Sequence, residues 1–182
     1  MPKKPVAFIL WSAWFVFSPL LTVVEAGDSA RNRLISARRL AAKSPDFAFM
    51  DYTTILHDYP ESREAAEASF AVGEYYFSRK NYDAAAGAFK KFLFRSNGRI
   101  EELAGLAFLA KSAELCADKS LRERAEDTLK QRLSSKRFFM LFEDKQVQAW
   151  RSPFGRNIVL REFVDRLEVT LNGSPFHTVQ LP

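Results

Sequence analysis

Apolar side chains recur every three or four residues through the middle of the chain, between short polar segments. This spacing places them on one face of a helix. It is most regular over residues 63–79, where the repeated positions are Ala65, Ala68, Ser69, Val72, Gly73, Tyr76 and Phe77. The whole pattern predicts six helices, over residues 29–43, 46–57, 63–79, 84–94, 101–117 and 121–133.

The boundaries of these helices coincide with residues that begin or end helices. Pro45 and Pro60 lack a backbone N–H and restrict the residue that precedes them. Asn81 or Asp83 can cap the helix that follows. Gly98 suits the left-handed conformation in which many helices end. The chain is therefore predicted to be mostly α-helical, with short connections.

Residues 47–133 repeat themselves at a spacing of 37 residues. The step pairs Ala48 with Ala85, Tyr52 with Phe89, Ile55 with Phe92, Leu56 with Leu93, Pro60 with Asn97 and Gly73 with Ala110. The matching positions are mostly small or aromatic, as close-packed helix pairs require. We therefore expect stacked helical hairpins rather than a closed catalytic domain.

Gly73 falls in the middle of a predicted helix, where glycine costs about 1 kcal/mol relative to alanine. Close approach of the next helix around Ala85 and Ala88 would compensate, since any side chain on Gly73 would push the helices apart. The residues expected to pack the repeat together are Gly73, Tyr76, Ala85 and Phe89.

Residues 67–76, followed by residues 81–85 and Phe89, resemble the tetratricopeptide repeat, in particular the variety found in bacterial cell-envelope proteins such as BamD and CpoB. The half-repeat that ends at Pro60 is similar to the family's second helix and terminal proline. The resemblance covers residues 30–133. The chain departs from the family at Asn97, where proline is usual. It also departs at Arg122, where a small residue is expected and Ala125 supplies one only after an insertion.

The resemblance implies an α-α superhelix of helical hairpins whose first helices line a concave peptide-binding surface. On this chain the implied surface consists of Glu67, Phe70, Glu74, Phe77 and Ser78. Phenylalanine anchors with a glutamate rim suit an amphipathic or basic peptide. The alternative is that both phenylalanines simply pack against the preceding helix.

The N-terminus has the pattern of a signal peptide. Lys3 and Lys4 precede an apolar stretch over residues 6–24, and the compact exit Val24-Glu25-Ala26 predicts cleavage after Ala26. An uncleaved membrane anchor is the alternative, because the stretch approaches the length of a bilayer span. We expect an exported protein of the periplasm, or an inner-membrane protein if the segment is retained.

The charge of the chain is mildly basic. Its 27 basic and 22 acidic residues give a formal net charge of +5. The basic residues are dispersed, which is typical of solvated helix faces, and no RNA-binding pattern accompanies them, so no nucleic-acid partner is expected. Cys116 is the single cysteine, which excludes an intramolecular disulfide.

The tail beyond Lys136 changes character. Residues 138–142 are continuously apolar, so we expect them to cap the helices, to pair as a strand or to meet another protein. Alternation over residues 167–171, a turn over residues 172–175 and a second segment over residues 176–181 predict a β-hairpin. Two strands alone are marginal in water, so the hairpin needs a surface beneath it or a partner's strand.

No catalytic pattern emerges. Neither His57 nor His177 belongs to a metal motif, and Ser152 lies outside a nucleophile elbow. We expect a binding protein, with no enzyme activity, cofactor or metal. The predicted organisation is a signal peptide over residues 1–26, a tetratricopeptide-like helical domain over residues 27–135 and a tail with a β-hairpin over residues 136–182.

The predicted function is that of an exported adaptor or scaffold that binds a protein or peptide partner in the cell envelope, in outer-membrane or envelope assembly. One alternative is an assembly component held at the inner membrane by the uncleaved N-terminal helix. Another is an accessory to an enzyme that acts on envelope polymers.

Overall fold

A computed structural model describes residues 19–96, 98–134 and 146–181 of the chain. The described helices are α1 (Pro19–Leu40), α2 (Pro45–Asp58), α3 (Glu64–Ser78), α4 (Tyr82–Arg95), α5 (Arg99–Leu115) and α6 (Lys119–Ser134). The described strands are β1 (Gln146–Arg151), β2 (Asn157–Glu162), β3 (Arg166–Leu171) and β4 (Ser174–Gln180). The prediction of a mostly helical protein with a small C-terminal β-structure is confirmed.

The 37-residue spacing is present in the helices themselves. The second helix of each successive pair begins at Pro45, Tyr82 and Lys119, which are two intervals of 37 residues. Each helix packs against the one that follows it along the chain. The helices of the described residues therefore form three consecutive hairpins, α1–α2, α3–α4 and α5–α6.

The turns inside the last two hairpins share one backbone conformation. Lys80 and Ala117, 37 residues apart, are both left-handed, with φ of 60° and 61°. The backbone N–H of the residue that follows each one donates to a carbonyl group of the preceding helix. Asn81 donates to Tyr76 and Asp118 donates to Ala113, both with an N···O distance of 2.9 Å. This is the Schellman arrangement, which satisfies carbonyl groups that the helix end would otherwise leave unpaired.

The residue after each left-handed position also caps the next helix. The Oδ1 atom of Asn81 accepts from the backbone N–H of Ala84 at 3.2 Å. Asp118 accepts in the same way from Leu121 at 2.9 Å. Of the two caps proposed from the sequence for α4, Asn81 is therefore the one that acts.

The core positions of the repeat are buried as the sequence predicts, up to α6. Buried residues that pair across the step of 37 are Ala48 with Ala85, Tyr52 with Phe89 and Ile55 with Phe92. In α6, Ala125 and Leu129 occupy the positions equivalent to Ala88 and Phe92, and both are buried. Arg122, the equivalent of Ala85, is only partly buried. The insertion inferred from Arg122 is therefore wrong, because α6 begins 37 residues after α4. The buried face of α6 is instead turned about the helix axis relative to the buried face of α4, so that Arg122 is only partly covered.

Gly73 lies against an aromatic ring. A Cβ atom added to it would stand 2.6 Å from Cε1 of Phe89, on α4. Gly105 of α5 meets the ring of Phe92 in the same way, at 2.5 Å. The expected close approach of α3 and α4 is present, but the atoms at Gly73 belong to Phe89 rather than to Ala85 or Ala88.

The four strands form one antiparallel meander in the order β1-β2-β3-β4. The predicted hairpin is β3 and β4, joined by Asn172 and Gly173, both with positive φ. Strands β1 and β2 are additional to the prediction. Apolar residues of the sheet belong to the same core as α4, α5 and α6, namely Ile158, Leu160, Leu167, Val169 and Val179. The helices thus supply the surface that the hairpin needs.

Some predictions concern residues that the structure does not describe. The apolar segment 138–142, Asn97 and residues 1–18 lie outside the described residues. Helix α1 begins at Pro19 and continues past the predicted cleavage point after Ala26. Among the helices of the described ranges, none combines the length and the apolarity that crossing a membrane requires. Cleavage, export and the domain boundaries stay predictions.

Replacing Gly73 with alanine should destabilise the protein. The new methyl group would lie within 2.8 Å of three atoms of the Phe89 ring, which is fully buried and packed against Phe70 and Phe108. We expect the free energy of unfolding to fall by about 1–3 kcal/mol, as in other overpacked cores. Chemical denaturation monitored by circular dichroism measures it.

Gly87 provides the matched control. It lies in α4, and a Cβ atom there would meet no atom within 4 Å. Gly87→Ala should raise the free energy of unfolding by about 0.5–1 kcal/mol, because alanine favours the helix. Equal effects of the two substitutions would contradict the packing of Phe89 on Gly73.

Candidate functional site

Three clefts follow one another along α3, and together they form what we call the α3 groove. Their volumes are about 740, 350 and 520 Å³. The first and second share Glu67 and Trp150, and the second and third share Phe154. The groove therefore passes between the helices and the segment that runs from the end of β1 to the start of β2.

An ion pair stands at the centre of the groove. The guanidinium of Arg38, on α1, makes two hydrogen bonds to the carboxylate of Glu67, on α3, one of them with Nε 2.6 Å from Oε1. The hydrogen bond to Glu67 raises the pKa of Arg38 above its ordinary value. Both side chains are partly exposed to solvent. Such a fork is geometrically specific but stabilises the fold only modestly, so a ligand's charged group can compete for either member.

Aromatic side chains form the walls of the groove. Trp150, at the end of β1, lines the first two clefts and packs edge-on against Phe70 with ring centroids 4.7 Å apart. Phe94 lines the first cleft and is 92% exposed. Phe154 lines the second and third clefts, where its ring lies 5.8 Å from that of Tyr52 and 6.5 Å from that of Tyr75. Side chains of this kind supply contact area for a peptide.

Glu74 is the most unusual residue of the site, since its side chain is fully buried. Its Oε2 atom accepts from the backbone N–H of Phe154 at 3.3 Å. Its Oε1 atom lies 3.9 Å from Nε of Arg156 and has no hydrogen-bond partner among the described residues. This carboxylate therefore joins α3 to the connection between β1 and β2.

Burial dominates the ionisation of Glu74. Loss of hydration raises the pKa of its carboxyl group from 4.5 to about 7. The hydroxyl of Ser152, the guanidinium of Arg156 and the amide of Phe154 all act in the opposite direction. The hydrogen bonds thus hold the chain segment in place without restoring the hydration that the carboxylate has lost.

The residues expected to form the peptide surface separate into two groups. Glu67 and Ser78 line the α3 groove, and Glu74 borders its third cleft from a buried position. Phe70 is fully buried, and Phe77 packs against Phe108 and Phe176 and lines none of the three clefts. Phe70 is therefore a core residue rather than a peptide anchor, but it packs against α4, α5 and β1, which follow it in the chain, and not against the preceding helix as the alternative expected.

The residues expected to pack the repeat lie between α3 and the neighbouring helices. Gly73, Ala85 and Phe89 are buried. Tyr76 is half-buried and packs edge-on against Phe49 of α2, with ring centroids 5.3 Å apart. They support the groove from inside and do not line it.

Sequence reasoning missed the contribution of the C-terminal part to the site. Trp150, Phe154 and Arg156 all come from β1 and the connection that follows it. Their one local signal is Pro153 and Gly155, which mark a turn; Gly155 has a φ of 76°. Nothing in that signal indicates that the turn packs against α3.

The two histidines lie apart from the groove. His57 is exposed beside Asp58. His177 is buried in β4, with Nε2 3.6 Å from Oε1 of Glu126, and burial lowers its pKa. Within the part of the chain that the structure describes, no three or more histidine, cysteine, aspartate or glutamate residues are grouped to hold a metal ion.

Comparison with protein families, with curated proteins and with solved structures finds no match to this chain. The tetratricopeptide resemblance therefore stays a prediction that rests on the residues and on the 37-residue helix spacing.

The stability of the protein should depend on pH through Glu74. Because its pKa is about 7 in the folded state and 4.5 ordinarily, the folded state binds the proton more tightly. The contribution of Glu74 to the free energy of unfolding is thus most favourable below pH 4.5 and is lost as the pH rises to about 7. Over this range Glu74 should lower the free energy of unfolding by an amount on the order of 3 kcal/mol. Urea unfolding across this pH range measures it.

Glu74→Gln removes the titrating proton and keeps an oxygen acceptor for Phe154. The stability of this variant relative to the unsubstituted protein should therefore rise as the pH increases from 4.5 to 7. Glu61→Gln, at an exposed position, is the control and should keep the original pH dependence. A constant difference between the Glu74 variant and the unsubstituted protein at every pH would contradict the burial of an ionisable Glu74.

Proposed function

We propose that this protein is an exported adaptor of the tetratricopeptide type that binds an extended, amphipathic peptide segment of a cell-envelope partner in the α3 groove. The observation that carries the proposal is the continuity of the groove, in which the three clefts share lining residues and a partly exposed ion pair stands between aromatic walls. Residues 6–24 and the exit at Ala26 support export.

The shape of the groove favours an extended peptide over a small molecule. Its clefts are open and follow one another along α3 instead of enclosing a single cavity. The partly exposed side chains of Trp150 and Phe154 flank an Arg–Glu fork. Large aromatic and arginine side chains dominate the energetics of protein interfaces. Peptide segments that place apolar and charged side chains alternately match such walls.

The charges along the groove are mixed. Its acidic side chains include Glu61, Glu67 and Glu101, and its basic side chains include Arg38, Arg63, Arg95 and Arg151. We therefore expect the groove to bind a peptide that carries charges of both signs, instead of the basic peptide that the sequence suggested. Charge pairing fixes the register of such a peptide more than it adds affinity.

The inner-membrane alternative has one observation in its favour. Helix α1 is continuous from Pro19 to Leu40, so the predicted cleavage point lies inside a helix. If the segment is retained, its described part, residues 19–24, continues into the first hairpin as one helix. The mass of the native protein distinguishes the two arrangements, since removal of residues 1–26 leaves Gly27 first.

Site-specific cross-linking in intact envelopes tests the proposed groove. A photoreactive amino acid at Ser78, which lines the third cleft and is exposed, should capture a discrete partner. The same group at Asp127, exposed on α6 and outside the groove, is the control and should not capture that partner. Arg38→Ala and Glu67→Ala should each reduce capture from Ser78, because they remove one member of the central fork.

Equal capture of the same species from both positions would contradict the groove as the binding surface. So would full capture from Ser78 in the Arg38→Ala and Glu67→Ala variants, provided that both variants keep the circular dichroism spectrum of the original protein.

A further inference from the structure

A second groove lies on α5 between α4 and α6, and we call it the α4/α6 groove. Helices α4 and α6 each pack against α5 and leave a cleft of about 500 Å³ between them. Its lining residues are Lys90, Leu93, Phe94, Glu102, Leu106, Leu109, Leu121, Arg124, Ala125, Thr128 and Arg132. Except for Phe94, none of them lines the α3 groove.

The floor of the α4/α6 groove is apolar and recessed. Leu106 and Leu109 of α5 and Leu121 of α6 are 4%, 5% and 7% exposed. At the rim, Phe94 is 92% exposed, more than any other large apolar side chain of the described residues. A side chain of this size that loses its exposure on binding is a typical interface anchor.

The rim of the groove is positively charged. Lys90 on α4 and Arg124 on α6 stand on opposite walls, and neither has an ion-pair partner among the described carboxylates. Glu102, the acidic residue of the lining, is within 2.9 Å of Arg132. The groove therefore presents unpaired positive charge on both sides of an apolar floor, to which an acidic ligand is complementary.

A polypeptide matches this geometry better than a lipid surface does. The leucine floor lies between two helices, so a flat membrane would contact Phe94 and the basic rim but not the floor. A helix, in contrast, can enter a groove between two helices with apolar side chains three and four residues apart.

We propose that the α4/α6 groove docks an acidic amphipathic helix of a partner protein. Its apolar face covers the floor beside Phe94, and its carboxylates face Lys90 and Arg124. This surface shares Phe94 with the first cleft of the α3 groove and is otherwise lined by different residues; the proposal does not depend on the peptide site.

Fluorescence anisotropy with a synthetic peptide tests the proposal on the full chain. The probe is a 16-residue helix-forming peptide with leucine on one face and glutamate on the flanks, and its counterpart carries lysine in place of glutamate. We expect the glutamate peptide to bind and the lysine peptide not to bind. The paired substitution Lys90→Glu and Arg124→Glu should weaken binding at least about tenfold, and Phe94→Ala should weaken it about tenfold.

The matched control reverses two charges elsewhere. Arg39 and Lys43 are exposed near the end of α1 and line neither groove. Arg39→Glu with Lys43→Glu changes the net charge equally and should leave binding unchanged. Equal weakening by both pairs, or equal binding of the two peptides, would overturn the proposal. Vesicles that contain phosphatidylserine provide the last arm: binding to them that depends on Phe94, without binding of the glutamate peptide, would overturn it in favour of a membrane contact.

Discussion

The ring of Phe70 joins the helices to the sheet. It packs against Phe89 and Phe92 of α4, Phe108 of α5 and Trp150 of β1, with ring centroids between 4.7 and 5.4 Å apart. Edge-on contacts of this kind each add about 0.5–1.5 kcal/mol beyond the burial of area. Residues from α3, α4, α5 and β1 thus share one interior, and the position of the sheet against the helices depends on it.

Small residues make this ring cluster possible, and the groove follows from it. Gly73 and Gly105 admit the rings of Phe89 and Phe92 against the backbones of α3 and α5. Trp150 then reaches Phe70 from the sheet and also lines the α3 groove. Glu74 fixes the chain that follows Trp150 through the amide of Phe154. The groove is therefore bounded by elements that the core itself positions.

Local sequence signals predict the parts of this fold that depend on neighbouring residues. Helical periodicity, prolines and the Asn81 cap locate the helices, and the 37-residue step anticipates the hairpins. The site depends on distant contacts, because Phe154 and Glu74 are 80 residues apart in the chain. An apolar residue such as Phe70 satisfies the helical pattern equally well whether its face stays open or is covered by a strand, so periodicity alone does not distinguish a peptide anchor from a core residue.

Native-state hydrogen exchange tests the central role of Phe70 most directly. If its ring makes the helices and the sheet one cooperative unit, the slowest amides of α4 and of strands β2 and β3 open with the same free energy. Phe70→Leu should then lower both values equally. Strands that open at a much lower free energy than α4, or a substitution that affects α4 alone, would contradict the account.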